Sequence, residues 1–208
     1  MSRTHWMAAA IAASLVGCGG TAPEIRYYQL SAPAAARGGT GPVLVLEPLE
    51  AEAAYDDQRI VYRVNDYRLD YYHYHRWSAS PGFLVSNYLE QALERSGRFR
   101  AVVRQPTAEA GLSLGGRLIS IEEVDHSKRE WVGRIVIELS VKDLTSGQVV
   151  WSRQFDESEP LERQSPEGLA RAISTALGRV VRLMAPEVAQ LAQEEALRRA
   201  QVAPARVR

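Results

Sequence analysis

Two Ser-Pro pairs punctuate this chain, and each opens an amphipathic run. Ser80-Pro81 begins "SPGFLVSNYLEQALERSG". A serine there can accept from the first free N–H groups of a helix, and the fixed φ of proline suits the first helical position. Leu84, Tyr88, Leu89, Ala92 and Leu93 recur at helical spacing and define an inward face, and Gly97 marks the end. Ser165-Pro166 repeats the start, with Leu169, Ile173, Leu177, Val180 and Val181 inward. Pro186 is expected to break this second helix, because an interior proline removes a backbone donor. The Ala-rich stretch to about Ala200 then reads as an exposed helical extension.

The rest of the chain reads as strands. Ile25–Leu30, "IRYYQL", and Val43–Leu49, "VLVLEPL", flank a glycine- and alanine-rich connection over 31–42. "RIVYRV" and "YRLDYYHYH" surround Asn65-Asp66 and predict a hairpin. "RFRAVVR" (Arg98–Arg104) follows the first helix. A meander over Leu112–Val124, Trp131–Leu144 and Gln148–Phe155 precedes the second. Two helices interrupting a largely antiparallel set of strands predict a single α+β domain with a C-terminal helical extension.

The leader bounds the compartment. "MSRTHWMAAAIAASLVGCGG" has Arg3 as its only full positive charge, then a short apolar run from Trp6 to Val16. This is the layout of an export signal, too short to span a bilayer. Leu15-Val16-Gly17-Cys18 fits the bacterial lipoprotein signal pattern, in which cleavage before the cysteine frees the residue that is acylated. The expected division is a signal peptide over 1–17, a lipidated tether over 18–24, a domain over 25–184, and a helical extension and tail over 185–208. Lipidation of Cys18 would give firm anchoring, since each buried acyl CH₂ contributes about 0.8 kcal/mol and three chains add together. Gly19 follows the cysteine where an aspartate would signal inner-membrane retention, so the outer membrane is expected.

Charge and cysteine usage exclude some functions. Removing 17 of 208 residues leaves 191, and takes one arginine from the 25 basic side chains. The remaining 24 face 25 acidic ones, a net charge of −1, whereas general nucleic-acid binders carry a basic excess. Cys18 is the single cysteine, so its acylation leaves no disulfide, thiol nucleophile or thiolate metal site.

"NDYRLDYYHYHRWSASP" (Asn65–Pro81) is dense in tyrosine and histidine. In a regular strand Tyr67, Leu69, Tyr71, His73 and His75 share one face, and Arg68, Asp70, Tyr72 and Tyr74 the other. His73 and His75 would need His126 or carboxylates to complete a zinc site, so no metal is expected. The segment is expected instead to help form a protein-facing surface, with Arg76, Trp77, Tyr72 and Tyr74 as partner-binding residues. Trp77 also fits a core position closing over the helix start. "GLSLG" (Gly111–Gly115) matches the Gly-x-Ser-x-Gly elbow, but a strand pattern follows where the elbow requires a helix. No catalytic residue and no cofactor are expected, and Asp125-His126 reads as a hairpin tip.

The order of these segments carries a resemblance. The lipoprotein signal, "YYQL", "VLVLEPL", "RIVYRVNDYRLDYYHYHRWSASPGFLVSNYLEQAL" and "GRLISIEEV…VIELSVKDLTSGQVVWSRQF" resemble the ABC-type transport auxiliary lipoproteins of the PqiC (paraquat-inducible protein C) type. The likeness covers about Ile25 to Met184. It implies a non-catalytic component of an envelope transport system, set on the periplasmic face of the outer membrane. There it would dock an MCE-domain (mammalian cell entry) protein that moves lipids or other apolar molecules. Self-association is left open. A structural or assembly lipoprotein is the alternative, and a periplasmic hydrolase using Ser113 is a further one.

Overall fold

The structure, a computed structural model, describes residues 23–32 and 39–202. Cys18 and the expected signal lie outside the described residues. Nine strands form one mixed sheet, and two helices cover one of its faces. The strands are β1 (Arg26–Tyr28), β2 (Val43–Leu46), β3 (Glu50–Ala51), β4 (Arg59–Asn65), β5 (Arg68–Trp77), β6 (Ala101–Val103), β7 (Leu112–Ser127), β8 (Glu130–Asp143) and β9 (Val149–Pro160). The helices are α1 (Pro81–Arg95) and α2 (Pro166–Val202). The expected α+β architecture is what the chain adopts.

β7 is the spine. One edge pairs with β8 along nearly its whole length. The other edge takes β2, β3 and β4 in succession, all parallel to it. The three long ladders, β4–β5, β7–β8 and β8–β9, are antiparallel as expected. The short parallel pairings that join them, including β1–β5 and β2–β6, were not expected. Such pairings depend on crossovers between distant segments, which local patterning does not report.

The two serine starts differ. Ser165 accepts from the Gly168 N–H at 3.1 Å and so caps α2. Ser80 makes no side-chain cap, and α1 begins through the Leu84 N–H donating to the Ser80 carbonyl at 3.0 Å. The predicted inward faces are all buried, α1 through Leu84, Tyr88, Leu89, Ala92 and Leu93, and α2 through Leu169, Ile173, Leu177, Val180 and Val181. The helices meet where the Tyr88 hydroxyl donates to the Ser174 carbonyl at 2.7 Å.

Pro186 does not break α2, which crosses the expected boundary at 184/185 without interruption. Nor is the extension wholly exposed, because Val188, Ala192 and Glu195 are buried. An interior proline costs about 3 kcal/mol. Here apolar burial on both sides of it, and contacts to the edge strand, offset that cost. Glu187 accepts from Trp151 Nε1 at 3.0 Å and Arg153 at 3.1 Å. One turn-pair earlier, Arg179 binds Glu157 at 2.7 Å and also Glu159. These bonds fasten the last strand under α2. Among the described residues, no helix is long and apolar enough to cross a membrane.

Candidate functional site

The tyrosine-rich segment lies on β5, next to the edge strand β1. Its alternation is broken. Val61 of β4 pairs with Tyr71 and Arg59 with Arg76, so Ile60 alone stands opposite the four residues 72–75. A bulge of this kind re-aims side chains. It puts Tyr72 and His75, expected on opposite faces, into ring contact at 5.7 Å and 87°. His73 instead contacts the Tyr74 ring. The expected split of β5 into two faces therefore holds only up to Tyr72.

The four expected partner-binding residues are spread over distinct environments. Trp77 is 1% exposed and belongs to the core, so it cannot serve as a surface anchor. The parallel pairing of Tyr28 with Trp77 and the start of α1 just beyond seal it in place. Arg76 is partly buried, with Nε lacking a hydrogen-bond partner. Tyr72 is half-buried and donates to Glu123 Oε1 at 2.7 Å. Tyr74 is 47% exposed and points outward from the bulge.

Tyr62, Tyr72, Tyr74, His75, Trp131 and Asp125 surround a hollow of about 380 Å³ at this end of the sheet. Tyr62 on β4 stands 5.1 Å from the Tyr72 ring, at 61°. Asp125, near the end of β7, pairs across the ladder with Trp131 on β8. Glu123 sits two residues earlier on the same strand face and is fully buried behind Tyr72. Burial pushes its carboxyl up to about 7, despite the Tyr72 hydrogen bond, and the nearby Asp125 charge pushes the same way. Asp125 is raised as well, again chiefly by burial. Burial and the Arg26 charge lower the His75 pKa, which favours a neutral ring, and the Tyr28 hydroxyl lies 2.8 Å from its Nδ1.

Buried oxygens without partners set this place apart. Among the described residues, the buried unpartnered side-chain polar atoms are Arg76 Nε, Ser120 Oγ, Glu123 Oε2 and Asp125 Oδ1. Such atoms cost free energy unless something satisfies them. A larger groove of about 850 Å³ runs along α2 beside Tyr27 and Tyr28. Its Arg171 is already paired with Glu167 at 3.7 Å, and its wall shows no such orphaned atoms. Sequence reasoning passed over Glu123, Tyr62 and Trp131, and assigned Asp125 to a hairpin tip. The available signal was "IEEVD", three carboxylates inside a strand pattern.

Ser113 lies within β7, is 1% exposed, and donates to Glu47 Oε1 at 2.7 Å. It does not sit at the strand-to-helix turn that an elbow requires. Among the described residues, no three His, Cys, Asp or Glu side chains gather to hold a metal ion.

An α+β domain of this build, one mixed sheet with two helices on one face, recurs in solved proteins. A Xanthomonas campestris protein of the DUF330 family superposes with a TM-score of 0.66 at 20% identity, over 85% of this chain and 100% of its own. An uncharacterized protein matches with a TM-score of 0.65 at 17% identity, over 79% of this chain and 99% of its own. At these identities the likeness shows the fold. No curated protein matches the sequence at a significant level. The model of the ABC-type transport auxiliary lipoprotein component family matches residues 28–185, and the chain belongs to that family. It is thus a transport-associated lipoprotein of the cell envelope.

Proposed function

We propose that this chain is the non-catalytic, outer-membrane-anchored auxiliary of an ABC/MCE-type transport system, acylated at Cys18 and docking a periplasmic MCE-domain protein. The observation that carries the reading is the family match across residues 28–185, which spans the strands from Tyr28 onward, all of α1, and α2 as far as Ala185. The β5 bulge supports a docking role for this end of the domain. It turns Tyr74 outward, and Tyr67 at the hairpin tip is 98% exposed. Aromatic side chains of this kind give much contact area for little ordering cost. Trp77 takes no direct part, because it is core. Arg76 and Tyr72 support the surface from beneath.

The test is co-purification from membranes with the MCE-domain protein encoded beside this gene. Tyr74→Ser should keep the melting temperature and weaken docking by about 30-fold, the scale of one lost interface anchor. Wild-type docking by Tyr74→Ser combined with Tyr67→Ser would remove this surface from the account.

A further inference from the structure

We propose that the hollow between Tyr62, Tyr72, Tyr74, His75 and Trp131 is a binding site for an organic ammonium group, primary or quaternary, with Asp125 as its carboxylate partner. The hollow shares Tyr72 and Tyr74 with the proposed docking surface, but the inference rests on the hollow's own chemistry and is tested on the chain without a partner protein.

Three features select this ligand class. The first is the wall. Aromatic rings surround the space, and two of their contacts are steep: Tyr62 to Tyr72 at 61° and Tyr72 to His75 at 87°. Rings set in this way line an open hollow, and ring faces attract cations placed over them. The second is charge. Asp125 lines the hollow with Oδ1 buried and unpartnered, and fully buried Glu123 behind Tyr72 has Oε2 in the same condition. Among the described residues neither carboxylate has an ion pair, and no lysine or arginine lines the hollow. A positive group arriving there would lie beside the Asp125 carboxylate and favour the ionised form of Glu123 behind it. The third is size. About 380 Å³ admits a trimethylammonium or ethanolamine group, but not a bulky peptide segment in full.

Other ligand classes fit less well. An anion would meet two carboxylates. A bare divalent cation would find too few oxygen donors, since the other lining groups are mainly aromatic carbon. An uncharged apolar ligand would leave both carboxylate oxygens unsatisfied.

The experiment is titration of the purified full chain with choline and with ethanolamine, followed by intrinsic tryptophan fluorescence and by calorimetry. Sodium chloride at matched ionic strength is the control. Both amines should bind saturably, with Kd on the order of 1 mM or tighter for so small a ligand. Asp125→Asn should weaken binding by at least about ten-fold, the scale of a lost charged hydrogen bond. Tyr62→Leu should weaken choline more than ethanolamine, because the quaternary nitrogen donates no hydrogen bond to Asp125 and depends more on the ring faces. Phosphocholine and phosphoethanolamine form a second arm. Tighter binding than the free amines identifies a head-group source, and weaker binding identifies a free amine, each with the site intact. Asp125→Ser serves as a second variant should Asp125→Asn change the fold. Failure of both amines to bind above the sodium control would overturn the proposal. So would binding unchanged by Asp125→Asn in a folded protein.

Discussion

Glu122 and Glu123 are consecutive, both almost fully buried, and on opposite faces of β7. Their surroundings differ sharply. Glu122 accepts from Tyr55 at 2.7 Å and Arg63 at 3.0 Å, and Arg134 lies 3.9 Å away. Arg134 is held in turn by a two-pronged bond to Asp156, at 2.8 and 2.7 Å. Arg63 also donates to the Tyr55 hydroxyl at 3.1 Å, and burial together with the Glu122 hydrogen bond pushes that phenol up to about 12. Glu123 has Tyr72 alone, and one of its oxygens has no partner. Alike in residue type, depth and strand, the two differ in whether the fold itself completes their hydrogen bonding. Glu122 joins β4, the turn at Tyr55 and β8 into one unit. Glu123 keeps one buried oxygen that no described residue completes.

The largest effect expected from breaking this contrast is at Glu122. Glu122→Ala leaves Arg63 and the Tyr55 hydroxyl short of an acceptor in a buried setting. Loss of one partner from such a network costs about 3–5 kcal/mol. Urea unfolding should show a lower midpoint with little change in slope, and an unchanged midpoint would mean that the network contributes nothing.

Glu123 should behave in the opposite sense. Its folded pKa, about 7, lies above the ordinary 4.5. The folded state therefore holds this proton more tightly than the unfolded chain. Its contribution to stability is fully present below about pH 4.5, falls as pH rises to about 7, and stays lost above that. A shift of that size corresponds to roughly 3 kcal/mol. Glu123→Gln should flatten this slope, so the variant melts at a higher temperature than wild type at pH 8 and gains nothing at pH 4. A variant that melts lower at pH 8 would show that Glu123 is satisfied in a way the hydrogen bonds do not display.

Legibility in the sequence follows the same line. Both helix faces were readable, since Leu89, Leu93, Ile173 and Leu177 lie at helical spacing after clear start signals. The hairpin around Asn65-Asp66 was equally local. The β5 bulge was not readable, because it arises where β4 and the parallel β1 pair with one strand at once. Without it, Tyr72 and His75 could not be placed together. The same reason hides the role of Pro186, whose helix continues because burial beyond it offsets the lost bond. Nothing in "EEVD" alone tells which carboxylate meets arginines and which meets a tyrosine only. That is decided by Tyr62 pairing with Glu123 and Arg134 with Glu122 across different ladders.

A ¹³C carboxyl titration of Glu123, with and without choline, tests most directly the claim that the fold leaves this residue open. The groups that face it are Tyr62 from β4, Tyr72 from β5 and Asp125 from β7, with uncharged Gly133 opposite on β8. A midpoint near 7 is expected without ligand and a lower one with saturating choline, because a bound cation favours the ionised carboxylate. A midpoint near the ordinary 4.5, the same with and without choline, would contradict it.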